Sequence, residues 1–217
     1  MKTRLKLELG QRDALASPTD HYGNFLNSAY RALTTRKYLF GIRKKFYFPE
    51  LETSAAATTT DGTAYVATPT AALIVRGIWD TTNDAMLSWI PNETYWERTG
   101  RADTNAEGIP TEYTRRGSYI YLSPTPNSSS ISLTIYYKKK VTLLSATGDK
   151  TEIGAEWDDP LIKLAAIHGM MRLKEYDFAE IEKKNWIEDV SALIDTYYDE
   201  AKAVRQHIQP DAMYLRR

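Results

Sequence analysis

Cysteine is absent from the 217-residue chain. That excludes disulfides, thiol nucleophiles and thiolate-bound zinc together, and it suits a protein made in a reducing compartment. Histidine is scarce, and His21, His168 and His207 fall in three different segments. No two stand four apart as on a metal-binding helix, and there is no HExxH. His168, four residues before Arg172 in the most apolar segment, reads more readily as a hydrogen-bonded core or interface histidine than as a catalytic one. A GxSxG elbow, a GxxxxGK[ST] loop and a GxGxxG after a strand are all missing, and Gly100-Arg101-Ala102 is simply a turn. No cofactor and no metal are expected. No apolar run approaches the roughly 18 residues of a membrane span, so no membrane partner is expected. The start, MKTRLKLELGQR, lacks the apolar core of a signal peptide. The chain is expected to stay where it is made, or to be built into something there.

An excess of one charge is missing too. Lys and Arg number 28 against 28 Asp and Glu, so no uniform basic field draws the chain onto nucleic acid. The balance is uneven along the chain, however. Residues 1–48 carry ten basic against three acidic residues, and residues 158–209 carry seven against eleven. Such polarity suits a part that stacks head to tail on a neighbour or turns one basic face to DNA; equally, it describes ordinary solvated surfaces.

The chain reads as helix, then sheet, then helix. Ser17, Pro18 and Asp20 form a helix start, and Tyr22, Phe25, Leu26, Ala29, Tyr30 and Leu33 then share one helical face to about residue 35. Before it, Leu5, Leu7 and Leu9 alternate like a strand among good helix formers, and the fold of residues 1–16 stays undecided. Residues 37–137 hold six of the nine prolines and nine of the fifteen tyrosines, in short β-branched and aromatic runs between turn signals. Asp61-Gly62 and Arg116-Gly117-Ser118 are hairpin signals. Ile131, Leu133, Ile135 and Tyr137 share one strand face, while residues 52–63 read as an exposed loop. In the last third, Asp159-Pro160 reads as a cap followed by a first-position proline, opening a helix that is apolar almost all round. Asp177 to Glu180 reads as a capping box after a break near Glu175. A helix from 178 to 208 would run about 45 Å, stopped by Pro210.

The expected fold class is therefore α+β: a helical bundle of N-terminal and C-terminal helices (1–36 and 156–209), an inserted antiparallel β-rich domain of sandwich or barrel type (37–155), and a tail (210–217). Within the long helix Ile187, Val190, Ile194, Tyr197, Ala201, Val204 and Ile208 recur at steps of three and four. They form a seam for other helices or for a neighbouring subunit. Basic clusters at Arg36-Lys37, at Arg43, Lys44 and Lys45, and at Lys138, Lys139 and Lys140 flank the β region. In a closed ring they can line a DNA passage or meet an acidic partner; in a monomer they are solvated edges that block edge-to-edge pairing. Trp89, Tyr95, Trp96, Tyr119 and Tyr121 either fill a small sheet core or make a stacking platform for sugars or single-stranded bases. Adjacent acids such as Glu188/Asp189 and Asp199/Glu200 point about 100° apart on a helix and do not converge, so a solvated face accounts for them.

One stretch carries a family likeness. It runs from a strand ending in a Pro-rich turn (Tyr121 to Pro126) through an aromatic strand (Ile135 to Tyr137), a Leu-containing loop (Thr142 to Leu144) and an acidic-Pro helix start (Trp157 to Pro160) into an alanine-rich helix. Upstream, Asn27, Ala29 and Tyr30 sit in FLNSAYRAL. Over about residues 17–209 this resembles the head–tail adaptors of tailed bacteriophages, the family that includes tail tubular protein A of short-tailed phages. The resemblance implies a structural part and not an enzyme, in the virion at the head–tail junction and made in the host bacterial cytoplasm. It implies a homo-oligomeric ring, usually dodecameric, beneath the portal protein. The helices would surround the DNA channel and the β domain would face outward or toward a downstream tail or nozzle protein. Genomic double-stranded DNA would pass without sequence-specific contact. Terminal segments would dock on the portal, here Met213, Tyr214, Leu215, Arg216 and Arg217. The alternatives are another neck or tail-completion component of the virion, or an aromatic-rich glycan- or nucleic-acid-binding module.

Overall fold

The computed structural model describes residues 1–10, 21–35, 39–42, 48–99, 106–145 and 149–208, with 197–208 described by backbone alone. The fold is α+β. Two compact units emerge, Met1–Phe48 with Val141–Arg217 and Pro49–Lys140.

The β-rich unit contains β1 (Glu52–Thr58), β2 (Tyr65–Ala67), β3 (Ala72–Asp80), β4 (Ala85–Met86) and β5 (Ser88–Trp89) before helix α1 (Asn92–Thr99). After that helix come β6 (Glu107–Gly108), β7 (Glu112–Arg116), β8 (Tyr119–Ser123), β9 (Thr125–Pro126) and β10 (Ser132–Lys139). One sheet has the order β1-β10-β3-β4 and is antiparallel throughout. The other has the order β2-β8-β7-β5, with β5 parallel to β7, and β6 pairs with β9 in a two-residue parallel ladder. Period-2 alternation in β10 turns Leu133, Ile135 and Tyr137 inward. They join Ile78 of β3 and Val66, Ile120, Leu122 and Tyr113 of the other sheet in one apolar cluster. Both sheets are open, so the unit is a sandwich rather than a closed barrel.

Two expectations for this unit need correction. Residues 52–58 are not loop but strand β1, because small Ala, Ser and Thr side chains fit beside β10 while Ala55 and Ala57 touch the core rim. Asp61-Gly62 does turn, with Gly62 at φ 68°, but it joins β1 to β2 in different sheets and so makes no hairpin. Gly117, at φ 59°, does close a hairpin: β7 and β8 pair from Arg116↔Tyr119 to Glu112↔Ser123.

In the helical unit the undecided N-terminus forms a short helix, here αN (Lys2–Glu8). It is followed by α2 (His21–Thr35), α3 (Asp158–Arg172) and α4 (Tyr176–Ile208). The first, second and last of these each pack on α3. That explains why α3 buries residues on every side, Leu161, Ile162, Leu164, Ala165, Ala166 and Ile167 among them. The helix starts at Asp158 with Trp157 as N-cap and no side-chain cap, so Asp159 and Pro160 lie within its first turn and not at the cap. A first-turn proline sacrifices no helical hydrogen bond. Asp158 instead accepts from Thr151 Oγ1 at 3.0 Å. The break after Arg172 falls at 173–175, with Lys174 at φ 64°. Since α4 begins at Tyr176, Asp177 sits inside its first turn and is not its cap. The Ser17-Pro18-Asp20 start, Gly100 to Ala102 and Pro210 lie outside the described residues.

Candidate functional site

The long helix α4 presents two faces. Ala179, Trp186, Val190 and Ile194 are buried, and Ile187 is half-buried. Trp186 has no exposed surface, its Nε1–H donates to the Pro160 carbonyl at 2.7 Å, and its ring meets Phe40 edge-on at 5.5 Å. Of the seam residues, Val190 and Ile194 thus pack inside this chain's own helical unit. The side chains of Tyr197, Ala201, Val204 and Ile208 lie outside the described residues. At 100° per residue, Phe178 and Ile181 point away from the Ala179–Trp186–Val190 line, and they are 66% and 55% exposed.

The basic residues separate on inspection. Lys138 is only 8% exposed, beside its cross-strand partner Glu52, and burial pushes its pKa down, with the Glu52 charge partly opposing that and Arg76 adding to it. Expected at a DNA channel or partner surface, it is instead a buried strand residue of the first sheet. Lys139 is half-buried and Lys140 is exposed, its Nζ 3.5 Å from the Thr70 carbonyl. Arg36, Lys37, Arg43, Lys44, Lys45 and Met213 to Arg217 lie outside the described residues.

The expected aromatic platform resolves into a cluster of mutually tilted rings, of which Tyr65, Trp96 and Tyr119 stay exposed. Tyr65, Tyr119, Tyr121, Tyr95 and Trp96 meet at centroid distances of 4.9 to 5.8 Å and interplanar angles of 55° to 83°. Such edge-to-face contact satisfies the rings among themselves and fixes α1 on the sheet. The Arg116 guanidinium lies over Trp96 at 5.3 Å and covers one face of that ring. Trp89 stands apart from this cluster, 60% exposed.

Chemistry-bearing groups are dispersed. His21 stacks on Phe25 and His168 is half-buried, while the side chain of His207 lies outside the described residues. No group of three His, Asp or Glu able to hold a metal occurs among the described residues. Glu188 is exposed, and Asp189 binds Lys163 Nζ at 2.5 Å, a hydrogen bond that pushes the lysine's pKa up. A groove of about 380 Å³ lies along the polar face of α2. It is lined by Asn24, Asn27, Ser28, Arg31 and Thr35 with Leu143, a set without a general acid or base. One of these is committed already: the Asn27 carboxamide is hydrogen-bonded to the Leu144 backbone. No helix among the described residues is long and apolar enough to cross a membrane.

Sequence reasoning missed Trp186, because the 3-4 spacing that starts at Ile187 competes with a burial line one residue earlier. It also missed the pairing of Asn27 with Leu144, which leaves no periodic trace.

Compared with known families, the chain matches the family model described as SU10 adaptor protein over residues 1–212. No curated protein matches it.

Proposed function

This chain belongs to the SU10 adaptor protein family, and on that ground we propose that it is a structural head–tail adaptor forming a ring beneath the portal of a tailed bacteriophage. The ring extends the DNA channel and gives the tail its docking surface. The observation that carries this reading is the family match, which runs through both compact units from residue 1 to 212. In this reading the helical unit, with its N-terminal and C-terminal helices as one bundle, surrounds the channel. The β-rich unit faces outward or toward the next tail component. Subunits number twelve, and Met213 to Arg217 dock on the portal.

The physical chemistry of the chain supports that assignment. Helix α4, at 33 residues, runs about 50 Å, long enough to form much of a channel wall. Its distal residues Tyr197, Ala201, Val204 and Ile208 are the part of the seam offered to a neighbouring subunit. So is the outward pair Phe178 and Ile181, too large and apolar to be left in water without cost. A channel that DNA slides through is better served by balanced charge than by dense phosphate contacts, which would stall passage. The 28 basic and 28 acidic residues meet that condition, with Arg43, Lys44, Lys45, Lys139 and Lys140 as the residues available to DNA or an acidic partner. The role is structural rather than catalytic, and the chain acts in the virion.

The test is co-expression with the portal protein of the same genome, followed by imaging of the purified product. A second ring stacked on the portal is expected. A portal that assembles normally and retains none of this chain would overturn the proposal.

A further inference from the structure

The edges of the two four-stranded sheets are not alike. β2, β4 and β5 are only two or three residues long, and short edges of that kind resist pairing with other chains. β1 is seven residues long, contains no Lys, Arg or Pro, and keeps an unbroken register with β10 from Glu52↔Lys138 to Thr58↔Ser132. Its one charged residue, Glu52, sits at the very start and is tied to Arg76 at 3.0 Å. Among the described residues, no bulge, proline or basic side chain protects this edge.

The direction of its backbone groups follows from one bond. The Thr59 amide donates to the Ile131 carbonyl at 3.1 Å, which continues the β1–β10 ladder and fixes its parity. Thr53, Ala55 and Ala57 therefore bond to β10, and the N–H and C=O groups of Ser54, Ala56 and Thr58 point the other way. Among the described residues those outward groups have no hydrogen-bond partner, and Ser54, Ala56 and Thr58 are all exposed.

We propose that this edge receives an extended segment of a partner protein as a fifth strand of the sheet. An outward row of alternating donors and acceptors is matched by another extended backbone lying about 4.8 Å away. Ala55 and Ala57, half-buried at the rim of the core, leave room for bulky apolar side chains at alternate positions of the incoming strand. The partner is a different protein and not a second copy. The other terminal strands, β2, β4 and β5, are too short to match β1, and along the part of β3 that β4 leaves uncovered the Leu73 carbonyl is already taken by Arg115. β1 paired with its own copy is a two-fold contact, which closes a dimer instead of propagating a ring. The inference rests on the adaptor reading in one respect: the donor is another component of the same particle.

The experiment is amide hydrogen exchange on the full chain, free in dilute solution and within purified virions. The Ser54, Ala56 and Thr58 amides are expected to exchange at least about 100-fold more slowly in the particle, with Ala55 and Ala57 protected in both states. Ala56→Pro removes an outward N–H and leaves the β1–β10 ladder intact. It is expected to cut the yield of tailed particles at least about tenfold with an unchanged melting temperature. If that variant proves unstable, the exchange comparison on the unsubstituted chain decides alone. Particles that contain the chain with those three amides unslowed would overturn this inference and leave the adaptor reading standing. Concentration-dependent protection of the free chain would overturn it in favour of β1 pairing with itself. Absence of the chain from the particles would overturn both.

Discussion

The side chain of Asn27 imitates a strand neighbour to Leu144: Nδ2–H donates to the Leu144 carbonyl at 2.9 Å, and the Leu144 amide donates to Oδ1 at 2.8 Å. A single carboxamide thus satisfies both main-chain groups of a residue 117 positions away and holds the 141–145 segment on α2. Leu144 itself is buried. Asn27→Leu has similar volume but leaves a part-buried N–H and C=O without partners. A loss of about 1–3 kcal/mol is expected, read as a lower urea midpoint. Asn27→Asp keeps the acceptor for the amide but sets a carboxylate against the carbonyl oxygen, so it should not rescue. Equal stability of Asn27→Leu and the parent would show that the pairing contributes nothing.

Trp186 tests the other side of the helical unit. It combines complete burial, a 2.7 Å hydrogen bond to Pro160 and an edge contact with Phe40. Trp186→Phe keeps much of the volume but deletes the donor and opens a small void, at an expected cost of about 2 kcal/mol. Trp186→Ala should cost about 3–5 kcal/mol. Denaturant unfolding of both variants measures this, and a Phe variant as damaging as Ala would mean that the hydrogen bond, not packing volume, dominates.

Where the sequence was legible, one local rule acted without competition. Alternation in β10 and left-handed Gly117 each led to the observed element, as did the apolar spacing of α2. Rules failed where the deciding neighbour is distant in sequence. Residues 52–58 look like a loop because Glu52 and the three alanines have weak strand preference, and only β10, some eighty residues on, makes them a strand. Asp61-Gly62 turns as its residues require, but which strands a turn connects to which sheet is not a local property. Charge type gave no measure of exposure either: Lys138 and Lys140 are identical in sequence terms, yet one is buried and the other exposed. The family resemblance, resting on spaced ordinary residues from both ends of the chain, was more informative about function than any one side chain.

Gly169 of α3 faces Leu9, and a Cβ built there would lie 2.6 Å from Leu9 Cδ1 and 3.0 Å from Cδ2. The obstruction is the end of a flexible side chain, so it is relieved by moving αN or by trimming Leu9. Gly169→Ala alone is expected to destabilise the protein or release αN. In a Leu9→Ala background the same substitution should stabilise by about 0.5–1 kcal/mol, the intrinsic helix preference of Ala over Gly. A double-mutant cycle reads the change of sign. Additive effects would mean that the two side chains do not meet.

Tyr30 gives the unit a dependence on alkaline pH. Its ring is fully buried, its hydroxyl oxygen accepts from the Glu152 amide at 2.7 Å, and burial pushes its pKa up to about 12 from the ordinary value of 10. The Glu152 amide opposes that rise, while the carboxylate charges of Glu152 and Asp158 add to it. With a folded pKa above the unfolded one, the folded state keeps a proton that the unfolded state has released. The contribution is therefore fully present below about pH 10 and is lost as pH climbs from about 10 to about 12. Tyr30→Phe removes this titration and strands the Glu152 N–H, so at pH 8 it should be less stable by about 1–2 kcal/mol. Between pH 10 and 12 the parent should lose stability more steeply than the variant, and the gap between them should narrow. Titration of the remaining tyrosines and lysines is common to both proteins and cancels in the comparison. Denaturant midpoints at pH 8, 10 and 11.5 decide it. Parallel curves would mean that Tyr30 ionises alike in the folded and unfolded chains, and hence that the segment around Glu152 is not docked on α2 in solution.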